Sequence, residues 1–187
     1  MSATNRGGIR KAYDFYATPI DVTEKFLRKY GIHNLTGNIL EPSAGNGNII
    51  KALRKVGLSN TVSAIEIREE EKENLKKVAD TVILGNFLEM DNSIKYDVVI
   101  GNPPYSQAKE FVEKALTLTT EKGVVIMLLR TAFLESRARY EFWQNNPPTG
   151  LYVLSRRHSF TGKGTDATSY AWFVWDKKTK EQVIAVI

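Results

Sequence analysis

The sequence Asp-Val-Val-Ile-Gly-Asn-Pro-Pro-Tyr, at residues 97–105, decides the fold of this chain. Residues 98–100 are β-branched and suit a buried central strand of a parallel sheet. The glycine and the two prolines that follow end the strand, because proline has no N–H to give to a sheet ladder and restricts the residue before it. We therefore expect Asn102 and Tyr105 at the carboxyl end of a strand, where open α/β sheets hold their ligands.

An amide, a rigid diproline turn and an aromatic ring at that edge can clamp a flat group that carries an NH₂. The alternative is that Asn-Pro-Pro only makes a turn. The chain supplies its own comparison, since residues 146–148 repeat the tripeptide after a polar Gln-Asn pair and before Thr149. The second copy follows no apolar run and has no aromatic ring, so it is predicted to be a loop.

Strands and helices alternate from about residue 38 to residue 129, which predicts an α/β fold with a parallel sheet and helices on both faces. The predicted strands are 38–41, 61–67, 81–84, 97–102, 123–129, 151–155, 169–176 and a short one within 181–187. The predicted helices are 19–30, 48–56, 68–79, 106–119 and 131–144, with Thr18 capping the first helix. Residues 151–155 and 169–176 are predicted to pair as an antiparallel hairpin.

The composition is that of an ordinary globular protein, with 42% hydrophobic and 25% charged residues. The 187 residues predict one domain at 13–187, after a loose basic arm at 1–12. There is no cysteine, and the histidines are His33 and His158. This excludes disulfides, thiolate catalysis and cysteine-ligated zinc, and no metal site is predicted.

The sequence has no apolar amino-terminal core and no run of about eighteen apolar residues, so a cytoplasmic location is expected. The net charge of +5 permits a polyanionic partner without requiring one.

A glycine turn, Glu-Pro-Ser-Ala-Gly-Asn-Gly at residues 41–47, links a predicted strand to a predicted helix. Glycine lets a ligand approach the backbone closely. About 20 residues further on, Glu66 ends the next strand, where a carboxylate can accept hydrogen bonds from the ribose of an adenosine cofactor. Ile50 stands where a dinucleotide site needs a third glycine, so S-adenosylmethionine fits better than a nicotinamide cofactor.

The third strand is followed by Asn86 and Phe87, which are predicted to hold the adenine of that cofactor. For Phe87 the alternative is packing in the core.

Four segments in this order resemble the amino-methyltransferases that methylate N6 of adenine: Phe15-Tyr16-x-Thr18-Pro19, residues 41–47, Glu66 and Asn102-Pro-Pro-Tyr105. The carboxyl half, at residues 159–166 and 170–175, is similar to small bacterial and phage-borne DNA N6-adenine methyltransferases without a target-recognition domain. The resemblance covers about residues 13 to 176.

The resemblance implies a Rossmann-like class I methyltransferase with a mostly parallel seven-stranded sheet. It implies that Asn102 is the catalytic amide, followed by Pro103 and Pro104, and that the rings of Tyr105 and Phe160 stack on the target base. The residues predicted to bind S-adenosylmethionine are Tyr16, Thr18, Pro19, Glu41, Pro42, Ala44, Gly45, Gly47, Glu66, Ile67, Asn86, Phe87 and Asn102.

Phosphate contacts are predicted for five basic residues, whose alternative is solvated surface charge: Arg137, Arg139, Arg156, Arg157 and Lys163. The chain departs from the family at Asn86, where the family usually has Asp. Larger members carry a target-recognition domain for which this chain has no room. Selectivity is therefore expected to be weak, or to come from a specificity subunit or a homodimer partner.

DNA is the predicted substrate, and RNA adenine N6 methylation is the first alternative. Protein glutamine methylation comes next, because an amide NH₂ poses the same chemical problem, although such enzymes normally carry an extra amino-terminal helical domain. A non-catalytic nucleic-acid-binding subunit and a nicotinamide-dependent reductase stay open as readings from other classes.

Overall fold

The computed structural model describes residues 17–156 and 168–187. Five α-helices lie in these residues: α1 (Ile20–Tyr30), α2 (Asn48–Lys55), α3 (Lys72–Leu75), α4 (Ala108–Leu118) and α5 (Tyr140–Asn145). The strands of the same residues are β1 (Ile39–Glu41), β2 (Val62–Glu66), β3 (Thr81–Leu84), β4 (Tyr96–Gly101), β5 (Thr119–Arg130), β6 (Gly150–Val153), β7 (Tyr170–Asp176) and β8 (Val183–Val186).

The strands form one 8-stranded sheet in the order β3-β2-β1-β4-β5-β7-β6-β8. Strands β1 to β5 pair in parallel, whereas β7 lies antiparallel between β5 and β6. The prediction of a mostly parallel α/β sheet with an antiparallel hairpin is confirmed. The implied count of seven strands is wrong for the described residues, because β8 pairs in parallel with the free edge of β6.

The central strands are buried on both faces, as their continuous apolar sequences predict. Side chains alternate along β4, so Val98 and Ile100 pack under α1 and α2, while Val99 packs under α4. Each face has its own cluster, which holds Trp172 on the first side and Phe173 on the second. The two clusters fix the position of the β4 carboxyl end.

The helix predicted at 68–79 is mostly absent. A 3₁₀ turn at Glu69–Glu71 precedes the short α3, in which Leu75 is the buried residue. Arg68, which was predicted to begin the helix, instead turns its side chain to Glu66 and Glu71. The ion pairs of Arg68 therefore belong to a turn that follows the carboxyl end of β2.

The helix predicted at 131–144 is also broken, into two 3₁₀ turns and α5. Ser136 lies between the turns with a φ of 128°, a conformation that no α-helix contains. The Arg139 side chain donates to the backbone carbonyls of Ala132, Phe133 and Glu135, and so holds the interrupted chain together.

Helix α1 begins at Ile20, and Pro19 occupies the position before it without a side-chain cap. The predicted capping role of Thr18 is therefore wrong. The Thr18 hydroxyl contacts a residue at the end of β4 instead, as the site below shows.

The second Asn-Pro-Pro, at residues 146–148, lies in a loop between α5 and β6, as predicted. It is at the edge of the sheet opposite to the end of β4, because Gly150 pairs with Val174 near the end of β7.

Among the described residues, no helix has the length and apolar content needed to cross a bilayer. The same residues contain no group of histidine and acidic side chains placed to hold a metal ion.

Candidate cofactor and catalytic site

The carboxyl ends of β1, β2 and β4 border a cleft of about 340 Å³. This volume is within the ordinary range for small-molecule sites, and the position is the one where parallel sheets hold ligands. The lining includes the glycine turn at 41–46, residues 66–68, residues 85–87 and Asn102. Segments far apart in sequence thus meet at one edge.

The glycine turn is hydrogen-bonded to the end of β2. The backbone N–H of Gly45 donates to Glu66 Oε2 over 2.6 Å, and both Gly45 and Gly47 have positive φ angles. Gly45 lines the cleft. Gly47 instead starts α2 and faces Val78, whose Cγ2 would lie 2.8 Å from an added Cβ.

The other oxygen of Glu66 is held by Arg68, whose backbone N–H and Nε donate over 3.0 and 2.9 Å. An ionised carboxylate has about four acceptor positions, so three of those of Glu66 are engaged within the protein. The ribose contact predicted for Glu66 stays a prediction. Ribose hydroxyls there would share the carboxylate with Arg68.

Glu41 lies at the bottom of the cleft with 2% of its surface exposed. Burial raises the pKa of its carboxyl group well above the ordinary value, and the charge of Glu66 raises it further, against the opposing N–H of Ile50 and charge of Lys51. Its Oε2 is buried and has no hydrogen-bond partner within the described part of the chain. Such an acid suits a cationic ligand group.

The two residues predicted to hold the adenine, Asn86 and Phe87, already have partners within the protein, polar for Asn86 and apolar for Phe87. Asn86 Oδ1 accepts from the N–H of Leu88 over 3.1 Å, and its Nδ2 donates to Glu89 over 2.8 Å. The ring of Phe87 borders the cleft but is 2% exposed and lies 5.0 Å from the ring of Phe111. Core packing, the alternative for Phe87, is present.

Asn102 is held from several directions. Its Nδ2 donates to Thr18 Oγ1 over 3.0 Å, and its backbone carbonyl accepts from the Ser43 hydroxyl over 3.2 Å. Thr18 is itself 4% exposed, and its carbonyl accepts from Asn48 Nδ2 over 2.9 Å. Asn102 is therefore held by the segment before α1 and by the glycine turn, and Asn48 of α2 in turn supports Thr18.

The Tyr105 side chain lies beyond the diproline turn, with its ring centroid 5.6 Å from that of Tyr170. The guanidinium carbon of Arg130 lies 4.7 Å from the centroid of the Tyr105 ring. Burial raises the pKa of the Tyr105 hydroxyl well above its ordinary value, and so does Tyr170, while Arg130 and Asn102 act in the opposite direction. The ring predicted to stack on a base thus has a cation against it.

Comparison with known proteins agrees with this geometry. Residues 33–110 match the Eco57I restriction-modification methylase family. The Type II methyltransferase M.CvrRI of Paramecium bursaria Chlorella virus XZ-6E is 33% identical over 91 residues, which are 48% of this chain and 24% of that protein. This chain therefore spans about a quarter of that relative.

Solved structures extend the likeness to nearly the whole chain. A Listeria monocytogenes protein assigned as a class I S-adenosylmethionine-dependent methyltransferase has a TM-score of 0.70 at 15% identity, over 96% of this chain and 68% of that one. The fold is that of the class I methyltransferases. A Pyrococcus horikoshii protein assigned as an RNA methyltransferase has a TM-score of 0.66 at 17% identity, over 88% and 85% of the two chains.

These likenesses confirm the resemblance to the S-adenosylmethionine-dependent DNA methyltransferases and the predicted cofactor. The cleft fits that cofactor. Glu41 offers a buried, unpartnered oxygen to a methionine ammonium group, and Gly45 permits close approach to the backbone.

The remaining predicted site residues are spread more widely. Pro19 borders α1 and does not line the cleft, whereas Pro42, Ala44, Ile67 and Pro104 do. Of the basic residues, Arg137 and Arg156 are exposed, while Arg139 is engaged with backbone carbonyls. The predictions for Tyr16, Arg157, Phe160 and Lys163 concern residues outside the described part of the chain.

Several residues that line the cleft were not predicted: Ala17, Ser43, Asn46, Asn48, Ile49, Arg68, Gly85, Ser106, Gln107 and Phe111. Asn48 could have been predicted from the sequence, because it begins a predicted helix directly after the glycine turn. Phe111 carried none, since its position in α4 is that of an ordinary core residue.

Proposed function

We propose that this chain transfers the methyl group of S-adenosylmethionine to the exocyclic N6 amino group of adenine in DNA. The observation that supports it most is Asn102, whose amide is held by Thr18 beside the cofactor cleft. Pro103 and Pro104 continue directly from it and carry the chain to the ring of Tyr105. This arrangement suits a flat group with an NH₂.

Methylation of an adenine amino group requires hydrogen-bond acceptors for its N–H groups more than it requires a general base. The lone pair of an adenine amino group is delocalised into the ring, so the nitrogen is a poor nucleophile. The Asn102 side-chain carbonyl and the Pro103 carbonyl each accept one N–H, which directs the lone pair out of the ring plane. The same two oxygens stabilise the positive charge that develops on nitrogen, and they are oriented before reaction.

S-adenosylmethionine supplies a methyl group activated on a sulfonium. The protein contributes position, since the cofactor cleft and Asn102 adjoin each other at one sheet edge. No cysteine or histidine nucleophile is needed.

DNA is supported as the polymer by the relatives, one described as a Type II methyltransferase and the family as a restriction-modification methylase. The net charge of +5 suits a phosphate backbone. The target base leaves its helix to reach the cleft. We also propose that residues 13–187 act as a single domain, since the described part of it forms one sheet.

The test is methyl transfer from S-adenosylmethionine to duplex DNA, single-stranded DNA and RNA, followed by nucleoside digestion and mass spectrometry. We expect N6-methyldeoxyadenosine from DNA. Methylation confined to RNA, or a methylated glutamine in a protein substrate, would replace this proposal.

The matched variants are Asn102→Ala and Asn146→Ala, which change the two Asn-Pro-Pro copies. We expect Asn102→Ala to keep its cofactor affinity and to lose turnover by about 100-fold or more. Asn146→Ala lies at the opposite sheet edge and should keep full turnover. Retained turnover in Asn102→Ala would eliminate the amide mechanism.

A further inference from the structure

Arg130 is the last residue of β5, the strand next to β4. Its backbone is fixed, because it pairs with Tyr170 and because the following N–H of Thr131 donates to the Ser169 carbonyl over 3.0 Å. Its side chain is exposed, and the guanidinium carbon lies 4.7 Å from the centroid of the Tyr105 ring. A fixed backbone thus presents a movable cation to the ring predicted to stack on the base.

The charge of Arg130 is not neutralised by any carboxylate in the part of the chain that the structure describes. Within residues 17–156 and 168–187, none of the ion pairs includes this side chain. A cation held only against an aromatic face at an exposed site is weakly bound. It can therefore leave the ring at little cost.

The exposed Arg130 side chain lies over one face of the Tyr105 ring, which is itself only partly buried. The ring also packs against the core cluster and against Tyr170, which is fully buried. A base that stacks on Tyr105 from outside therefore has to take the place of the guanidinium. Both are flat groups that stack on aromatic faces.

We propose that Arg130 is a placeholder for the target base. It covers the Tyr105 ring before substrate binds, yields that face to the extruded adenine, and then pairs with a backbone phosphate next to it. A phosphate is the natural destination, because guanidinium pairs with it in a bidentate geometry and no acid among the described residues pairs with Arg130. This inference rests on the proposed function.

The proposal predicts that removing the Arg130 guanidinium changes the affinity for two ligands in opposite directions. Adenosine has the base without the phosphate, so it competes with Arg130 and gains nothing from it. DNA has both and gains an ion pair. If Arg130 had a purely structural role, its replacement would lower the affinity for both ligands. If it only contacted a phosphate, its replacement would leave the affinity for adenosine unchanged.

The experiment compares wild type with Arg130→Gln and Arg130→Lys. Adenosine affinity is measured by ligand-observed NMR titration with the cofactor cleft saturated by S-adenosylhomocysteine, so that only binding outside that cleft is observed. DNA affinity is measured by fluorescence anisotropy over a series of salt concentrations. We expect Arg130→Gln to bind adenosine about two- to fivefold more tightly. Its slope of log K against log[salt] for DNA should fall by about 0.9.

Arg130→Lys separates the two roles, because it keeps the charge and loses the flat group. It should keep the salt slope of wild type and bind adenosine as Arg130→Gln does. Arg137→Gln is the control, since Arg137 is exposed and has no contact with the Tyr105 ring within the described residues. It should leave adenosine affinity unchanged.

Unchanged or weaker adenosine binding by Arg130→Gln overturns the placeholder role. An unchanged salt slope overturns the move to phosphate. If wild type itself binds neither DNA nor adenosine, the proposed function fails and this inference fails with it, an outcome visible before any variant is measured.

Discussion

Replacing Thr18 with valine tests how the amide of Asn102, the proposed catalytic group, is oriented. The Thr18 hydroxyl accepts from Asn102 Nδ2 over 3.0 Å, and Thr18 is 4% exposed. Valine has nearly the same shape, so Thr18→Val removes the acceptor and keeps the packing. The Asn102 amide then turns more freely, and its carbonyl points less often toward the substrate amino group.

The magnitude follows from the bond that is lost. A buried N–H left without its acceptor costs about 1–3 kcal/mol, so the free energy of unfolding should fall by about that amount. If a similar free energy is lost from transition-state stabilisation, kcat falls by about 5- to 150-fold, since about 1.4 kcal/mol is tenfold. The shape of the cleft is kept, so cofactor affinity should change by less than about threefold.

The assay measures kcat for DNA methylation, the Kd of S-adenosylmethionine and unfolding in urea. Thr18→Ser keeps the hydroxyl and should restore most of kcat. Thr23→Val is the matched control, because Thr23 is 0% exposed on α1 and its Oγ1 has no partner within the described residues. It should leave kcat unchanged and stability equal or higher.

Three results would refute this reasoning. Wild-type kcat in Thr18→Val would show that the bond does not orient the amide. Equal losses in the serine and valine variants would assign the effect to packing. A loss confined to cofactor Kd would make Thr18 a cofactor ligand only.

Three further predictions concern the buried acid, the glycine turn and the basic turn. The raised folded pKa of Glu41 means that stability is lost as pH rises above its ordinary value of 4.5 toward the folded pKa. Glu41→Gln should therefore flatten the fall of Tm as the pH rises above 4.5 and weaken S-adenosylmethionine binding in calorimetry; an unchanged Tm profile would contradict it. Gly47→Ala and Gly57→Ala both place a Cβ at positive φ, which costs about 1–2 kcal/mol. Only the Cβ at position 47 would meet a neighbour, at 2.8 Å, so urea unfolding should show a larger loss of stability for Gly47→Ala. Equal losses of stability in the two variants would count against the contact. Arg139→Gln should lower the free energy of unfolding by about 1–3 kcal/mol, because the backbone carbonyls that Arg139 binds lose their donor. Arg137→Gln should change the free energy of unfolding by less than about 0.5 kcal/mol. Similar unfolding curves for the two variants would contradict this prediction.

Much of the fold could be predicted because its signals are local. The β-branched run before Gly101 predicted β4 to within one residue at each end, and 81–84 matches β3. The glycine turn was placed correctly between β1 and α2 for the same reason. Glycine, proline and apolar runs act on the chain within a few residues of themselves.

The errors occurred where side chains from elsewhere decide the backbone. A helix was predicted at 131–144, but Arg139 binds carbonyls of the preceding turn and the chain turns at Ser136. The helix at 68–79 is shortened because Arg68 binds the carboxylate of Glu66. Neither contact can be read from helical spacing.

The sequence by itself determined the parallel sheet, the edge where its strands end, and the motifs gathered there. Only the tertiary structure decided which side chains meet at that edge. Thr18 reaches Asn102 across 84 positions, and Arg130 reaches Tyr105 from the neighbouring strand. Strand order is imposed by the packing of the whole chain, so contacts between strand ends depend on the completed sheet rather than on any local pattern.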